Sequence, residues 1–179
     1  LLVFNFTRAW LPENSVEYLS LHAHMGIAGW FLLLVLGVAS RLIPMFLISK
    51  YSNPKKLWWI YSLVNLALCG FILLKIYATP GAAYFLPAIL IGIALIIFAD
   101  YCRRAYRSRL RKQVDEQMKL SLLSVAFLLL PVICLLAVIA SMSKNQESGT
   151  ILLYGYCIFF GWITAIILAM TFKTLPFIV

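Results

Sequence analysis

Five long apolar runs, separated by short polar stretches, dominate the chain. They lie near residues 20–48, 57–78, 83–102, 119–142 and 150–172. A helix needs roughly 20 apolar residues to cross the hydrocarbon core of a bilayer, and each run is about that long or longer. The runs do not alternate between apolar and polar positions, which excludes the strands of a transmembrane barrel. The pattern predicts an all-α fold, a polytopic transmembrane helical bundle of about five spans.

Composition agrees with this prediction. The chain is 64% hydrophobic and 12% charged. Soluble domains are about 45–50% apolar and about 25% charged. The chain is therefore expected to be an integral membrane protein.

The first and last spans resemble each other. Residues 21–46 repeat as residues 153–178 at a constant offset of 132. The repeat matches Gly29-Trp30 with Gly161-Trp162, Arg41 with Lys173, Pro44 with Pro176, and the pair His22 and His24 with Tyr154 and Tyr156. Internal repeats are common in membrane folds. Because spans one and five then run in the same direction, we expect a parallel four-helix repeat whose next unit begins with span five.

The distribution of charge predicts the orientation. The net charge is +9, and the segment 103–119 alone holds seven cations, while the first loop holds three lysines. The second and fourth loops hold only Lys75 and Lys144. By the positive-inside rule, loops one and three face the cytoplasm. The outer tail 1–19 and the loop 143–149 then lie outside, and 103–119 forms a basic cytoplasmic extension, expected to be helical.

The expected organisation is an outer tail (1–19), a four-helix membrane unit (20–142), and an outer loop with the first helix of a further repeat (143–179), in a chain that continues. The expected location is a bacterial inner membrane, with the His22 and His24 end facing the periplasm. The basic loop is expected to contact anionic lipid. Nucleic acid is not an expected partner, because no aromatic or basic binding surface accompanies the cations.

His22 and His24 are the only histidines in the chain. Two residues apart on a helix, they are separated by about 200° and point to opposite faces. Met25, Gly26 and Gly29 continue the His22 face, and the small residues Gly26 and Gly29 would let a flat porphyrin lie against the helix, with imidazole as its axial ligand. Alternatively, both histidines bond loop groups or water at the interface. If the helix start were extended, His22, His24 and Met25 could instead bind Cu(I).

A histidine pair at the outer end of a helix, followed by Gly29-Trp30 within parallel four-helix repeats, resembles the heme–copper oxidase subunit I superfamily. The likeness is to its nitric-oxide-reductase-like and NnrS-like membrane proteins, and it rests on residues 21–46 and 153–178. It implies a heme b held by His22 or His24 near the outer third of the membrane. One-electron transfer would then take place in a respiratory or nitrogen-oxide-related complex, with other membrane subunits and a periplasmic redox partner. The stretch has no third histidine, so the copper site and the opposite axial ligand of the oxidases are missing. A complete oxidase or reductase is not expected from this chain alone.

A different class of function stays open, namely a cofactor-free structural or accessory subunit, or a small-molecule permease. Tyr154 and Tyr156 replace the histidines in the second copy, so the fold does not require the histidine site. A permease needs a polar path at the midplane, for which the sequence offers only Asn65 and Ser62. Asn65 is otherwise expected to bond a neighbouring helix.

The remaining ionisable groups are expected to be structural. Arg41 and Lys173 should extend to the cytoplasmic interface, as long cationic side chains do. Asp100 should be a paired charge at a helix end, and the four cysteines small buried hydrophobes.

Overall fold

The computed structural model describes residues 18–77, 81–110, 113–142 and 148–175. Within these residues it contains five helices long and apolar enough to cross a membrane, which confirms the all-α bundle. They are α1 (Leu19–Phe46), α2 (Pro54–Ile76), α3 (Gly81–Arg107), α4 (Glu116–Ser141) and α5 (Gly149–Thr174). The tail 1–17, the loop 143–147 and Pro176 lie outside the described residues, so the expectations for them stay predictions.

Helices α1 and α5 lie side by side and parallel, as the repeat predicts. Three contacts follow one another along the pair: His24 Nε2 is 3.2 Å from the Tyr154 hydroxyl, the Phe31 and Trp162 ring centroids are 5.6 Å apart, and Lys173 Nζ is 5.1 Å from the Phe46 centroid. Contacts at both ends and in the middle can arise only if the two helices run in the same direction. Helix α2 packs along α3, α4 packs along α5, and α1 also contacts α2 and α3.

The repeat extends to backbone geometry that the sequence did not predict. Both copies change from α-helix to π-helix at equivalent positions, over Met25–Leu32 in α1 and over Cys157–Ile163 in α5. π-Helical turns are rare and often occur at functional sites. Both sections begin just after the histidine pair or the tyrosine pair that replaces it.

Helix α1 ends with a strained residue. The Ser49 N–H donates to the Pro44 carbonyl (2.9 Å) and the Ile48 N–H to the Met45 carbonyl (3.1 Å), which is the Schellman pattern. Ile48, at the position usually held by glycine, has φ 50°. The left-handed region costs a residue with a side chain about 1–2 kcal/mol. The Ile48 carbonyl in turn accepts a hydrogen bond from the Leu110 N–H (3.4 Å), which joins the first loop to the third.

The predicted helical extension over 103–119 is wrong at residues 108–110 and 113–115, because α3 ends at Arg107 and α4 begins only at Glu116. The Ser108 hydroxyl bonds the Arg104 carbonyl (2.9 Å) and also the Ser49 hydroxyl (2.8 Å). Arg109 then pairs with Ser49 as a single antiparallel bridge. The residues after Arg107 thus find hydrogen-bond partners in the first loop and not within a helix.

Acidic residues at this basic end are paired. Asp100 accepts from Lys56 (2.5 Å), Arg104 (2.8 Å) and Arg103 (3.1 Å), which confirms it as a paired charge, although it lies two turns before the end of α3.

The prediction for Lys173 is wrong. Its side chain is buried and forms an ion pair with Asp115, the residue that precedes α4. Arg41, its counterpart in α1, is exposed. Of the cysteines, Cys102, Cys134 and Cys157 are buried as expected, but Cys69 is exposed.

Candidate functional site

His24 is oriented by two hydrogen bonds. Its Nδ1 lies 2.7 Å from the Ser20 carbonyl, one turn back along α1. A carbonyl only accepts, so Nδ1 carries the hydrogen and donates it. In the neutral ring, Nε2 is then an acceptor, and the Tyr154 hydroxyl at 3.2 Å donates to it. The tautomer is thus assigned from its partners.

Aromatic rings from α2 and α5 contact His24, and a ring from α3 lies behind the first of them. Its ring centroid is 4.9 Å from that of Phe71 on α2 and 6.0 Å from that of Tyr154 on α5. Phe71 in turn lies 5.8 Å from Tyr84 of α3, again between centroids. The imidazole therefore sits where α1, α2, α3 and α5 meet.

A cavity of about 330 Å³ opens beside this group, and all five helices line it. Its polar lining comprises Ser20, His24, Lys75, Tyr84 and Tyr154. Its apolar lining comprises Ala28, Ala67, Leu68, Phe71, Pro87, Ala88, Ile91, Leu135, Val138, Ile139 and Ile151. A mostly apolar cavity with a few converging polar groups is the usual form of a small-molecule site.

A larger groove lies nearer the basic end but has fewer side chains that could bind a ligand or react. It has a volume of about 470 Å³ between α1, α2 and α3, and its lining includes no histidine, cysteine or charged residue. We therefore take the cavity beside His24, called the histidine cavity below, as the candidate functional site.

Of the five predicted cofactor residues, only His24 lines the histidine cavity. His22, Met25 and Gly26 are exposed on the outside of α1. His22 and His24 thus face different surroundings, as their spacing predicts.

Gly29 does not share the His22 face. A methyl group there would lie 2.7 Å from Cδ2 of Leu68, so Gly29 lets α2 approach α1 closely. The π-helix explains the departure. A π-turn bonds i to i+5 and holds more residues than an α-turn, so positions after Met25 rotate away from the expected face.

The Cu(I) interpretation loses its structural premise. It requires an extended backbone at the histidines, but Leu19–His24 is α-helical. In the described part of the chain, no group of three or more His, Cys, Asp or Glu side chains could hold a metal ion.

A heme does not fit at His24 as the side chains are arranged. The Nδ1–H bond to a carbonyl is the support that iron-binding histidines use. However, the Tyr154 hydroxyl lies where Nε2 would meet an iron, 3.2 Å away. The cavity lining also supplies no second histidine, methionine or cysteine as an opposite ligand.

A midplane transport path through Asn65 gains no support. The Asn65 amide donates to the Tyr61 carbonyl of its own helix (2.8 Å), so the expected bond to a neighbouring helix is wrong. Neither Asn65 nor Ser62 lines the histidine cavity.

Sequence reasoning missed Tyr154, Lys75, Tyr84 and Phe71 as members of the site. For Tyr154 a signal existed, because a parallel repeat brings the start of α5 to the start of α1. The other three come from α2 and α3, where no motif marks them.

No protein-family model, curated protein or solved structure matches this chain.

Proposed function

We propose that this integral membrane protein binds a small amphiphile in the histidine cavity, with an apolar body and one polar end rich in acceptor oxygens. The observation that carries the proposal is the position of the polar lining. Lys75 lies at the end of α2, Tyr84 near the start of α3, and His24 and Tyr154 in the second turns of α1 and α5. The deeper lining, contributed largely by α2, α3 and α4, is apolar.

The donors in the cavity suit an acceptor oxygen. The Lys75 ammonium group can only donate, and the Tyr84 hydroxyl can donate as well. The Tyr154 hydroxyl can turn from His24 Nε2 towards the ligand. His24 then satisfies Nε2 by taking up a proton and donating to the Tyr154 oxygen, while Nδ1 keeps its bond to Ser20.

This relay couples ligand binding to proton uptake at His24. The titratable or charged groups that line the cavity with it are Lys75 from α2, Tyr84 from α3 and Tyr154 from α5, whereas α4 contributes only apolar side chains. Binding of an acceptor ligand should therefore tighten as the pH falls through the titration of His24.

Calorimetric titration of the protein in nanodiscs tests the proposal with two probes, decylubiquinone and decanoate. Both carry acceptor oxygens on an apolar body, one as neutral carbonyls and the other as a carboxylate. We expect one of them to bind at one site per chain. Tyr154→Phe should weaken binding about three- to tenfold, the worth of one hydrogen bond.

Tyr156→Phe is the matched control, because Tyr156 lies two residues on and is 63% exposed. It should bind like the wild type. Failure of both probes to bind, or equal binding by the two variants, would refute the proposal.

A second candidate function is electron transfer by a heme b in a heme–copper-oxidase-like complex. The exposed position of His22, with Met25 and Gly26 beside it, favours this candidate. These residues would hold the heme on the outside of α1, and its opposite ligand would come from another membrane subunit. An alkaline-pyridine heme spectrum of the intact complex should lose its heme band in His22→Ala and keep it in His24→Ala. A wild type without the band would exclude this candidate.

We propose a bacterial inner membrane with the histidine end towards the periplasm, on the strength of the loop charges. Labelling of whole cells with an impermeant thiol reagent should modify Ser148→Cys and spare Ser108→Cys. The opposite pattern would invert the orientation.

A further inference from the structure

Equivalent positions of the repeat have opposite exposure in α1 and α5. On α5, one stripe of residues is buried: Cys157, Ile158, Trp162, Ile166, Ala169 and Lys173. On α1, the equivalent stripe is exposed: Met25, Gly26, Trp30, Leu34, Gly37 and Arg41, called the α1 stripe below. The two tryptophans show the contrast, since Trp162 is 3% exposed and Trp30 is 69% exposed.

Helices α1 and α4 cover the stripe on α5. Trp162 packs edge-on against Phe31 of α1, and Cys157 lies 3.7 Å from Cys134 of α4, measured between sulfur atoms. At the basic end, Lys173 forms its ion pair with Asp115. The first helix of a unit is therefore built to pack on the first and fourth helices of the unit before it.

The opposite faces of α1 and α5 show the reverse exposure. The buried α1 residues Leu21, Leu32 and Leu36 face the rest of their own unit. Their counterparts on α5 are Leu153, Thr164 and Leu168, all exposed. Each helix thus carries one face for its own unit and one for the preceding unit, and α1 has only the first covered among the described residues.

We propose that the α1 stripe binds another membrane subunit, which presents two transmembrane helices arranged like α1 and α4. The chemistry of the α5 contacts specifies this partner. It should place an aromatic ring against Trp30, as Phe31 meets Trp162, and a carboxylate near Arg41, as Asp115 meets Lys173. A methyl group on Gly26 or Gly37 would meet no atom within 4 Å, and small residues of this kind let membrane helices approach closely.

A second copy of this chain does not supply that helix pair. Its own α5 already covers the required faces of its α1 and α4. If only lipid covered the α1 stripe, there would be no reason for α1 to carry a tryptophan and a cation at the two positions whose counterparts are buried in α5. The inference does not depend on what the histidine cavity binds.

Photo-crosslinking in native membranes tests the proposal. Benzoylphenylalanine replaces Trp30 in the full-length protein or, as a control of similar exposure, Leu66 on α2 (59% exposed). We expect position 30 to form an adduct with a transmembrane helix of a different polypeptide, mapped by mass spectrometry, and position 66 to react with lipid. In the partner, a carboxylate should lie level with Arg41.

The charge requirement is tested in the same experiment. Arg41→Glu should lower the position-30 adduct at least about fivefold, the worth of a polar contact between membrane helices. Arg41→Lys should preserve the position-30 adduct. In the Arg41→Glu variant, a lysine in place of the partner's carboxylate should restore the adduct. Adducts with lipid only, adducts with a second copy, adducts with an earlier segment of the same polypeptide, or a protein adduct indifferent to Arg41→Glu would each overturn the proposal.

Discussion

Replacing Lys173 with methionine tests the buried ion pair at the basic end. The Lys173 side chain is 9% exposed and that of Asp115 is 30% exposed. Methionine keeps much of the apolar stem but removes the ammonium group. The Asp115 carboxylate then loses a cationic partner while it stays partly buried at the start of α4.

Exposure sets the size of the effect. Exposed ion pairs contribute about 0–1 kcal/mol, whereas removal of one partner from a fully buried pair costs about 3–5 kcal/mol. This pair lies between the two cases, and the N-terminus of α4 offsets about 0.3–1 kcal/mol of the loss. We therefore expect Lys173→Met to lower the free energy of unfolding by about 2 kcal/mol. Arg41→Met changes the equivalent, exposed cation and should cost less than about 0.5 kcal/mol.

Unfolding in mixed micelles by SDS, followed by far-UV circular dichroism, measures both values. The double variant Lys173→Met/Asp115→Asn removes both charges and should recover most of the loss. Equal costs for Lys173→Met and Arg41→Met, or a double variant as unstable as the sum of its single changes, would contradict a stabilising ion pair between Lys173 and Asp115.

Two further predictions concern close contacts, and a third concerns backbone strain. Gly29→Ala forces Leu68 of α2 towards the histidine cavity, whereas a methyl group at the equivalent Gly161 meets no atom. In the same SDS titration, Gly29→Ala should therefore be about 1 kcal/mol less stable than Gly161→Ala. Equal stabilities would contradict the close approach of α2 to α1. Diamide should join Cys134 and Cys157 into a disulfide, seen by mass spectrometry as the loss of two hydrogens, because their sulfur atoms lie 3.7 Å apart; two thiols that stay alkylatable would contradict this. Ile48→Gly relieves the left-handed strain and should raise the free energy of unfolding by up to about 1 kcal/mol; a destabilised variant would show that the isoleucine contacts matter more.

Periodicity and length were enough to predict the helices. The five apolar runs became five helices whose ends lie within a few residues of the predicted ones, because a long apolar segment in a membrane must satisfy its backbone hydrogen bonds internally. The repeat predicted that α1 and α5 are parallel. The helical extension failed over residues 108–110 because the competing partner, the backbone after α1, lies about sixty residues away in sequence.

The site was predictable only in part. The sequence marked His24 as a candidate, and the two-residue spacing separated it from His22. It could not show that the first π-turn moves Gly29 onto α2, or that the cavity takes its other polar groups from the ends of α2, α3 and α5. Those groups converge only when the helices pack, and no local pattern in α2 or α3 reports which side chains will meet.

The all-helical membrane fold and its parallel repeat follow from the amino-acid sequence, since hydrophobic length and repetition are local properties of the chain. Tertiary structure alone decided that Lys173 is buried while Arg41 is exposed. Both residues occupy the same repeat position, but α1 and α4 cover α5, and no described helix covers the corresponding face of α1. Exposure depends on neighbours, and neighbours are a property of the packed bundle.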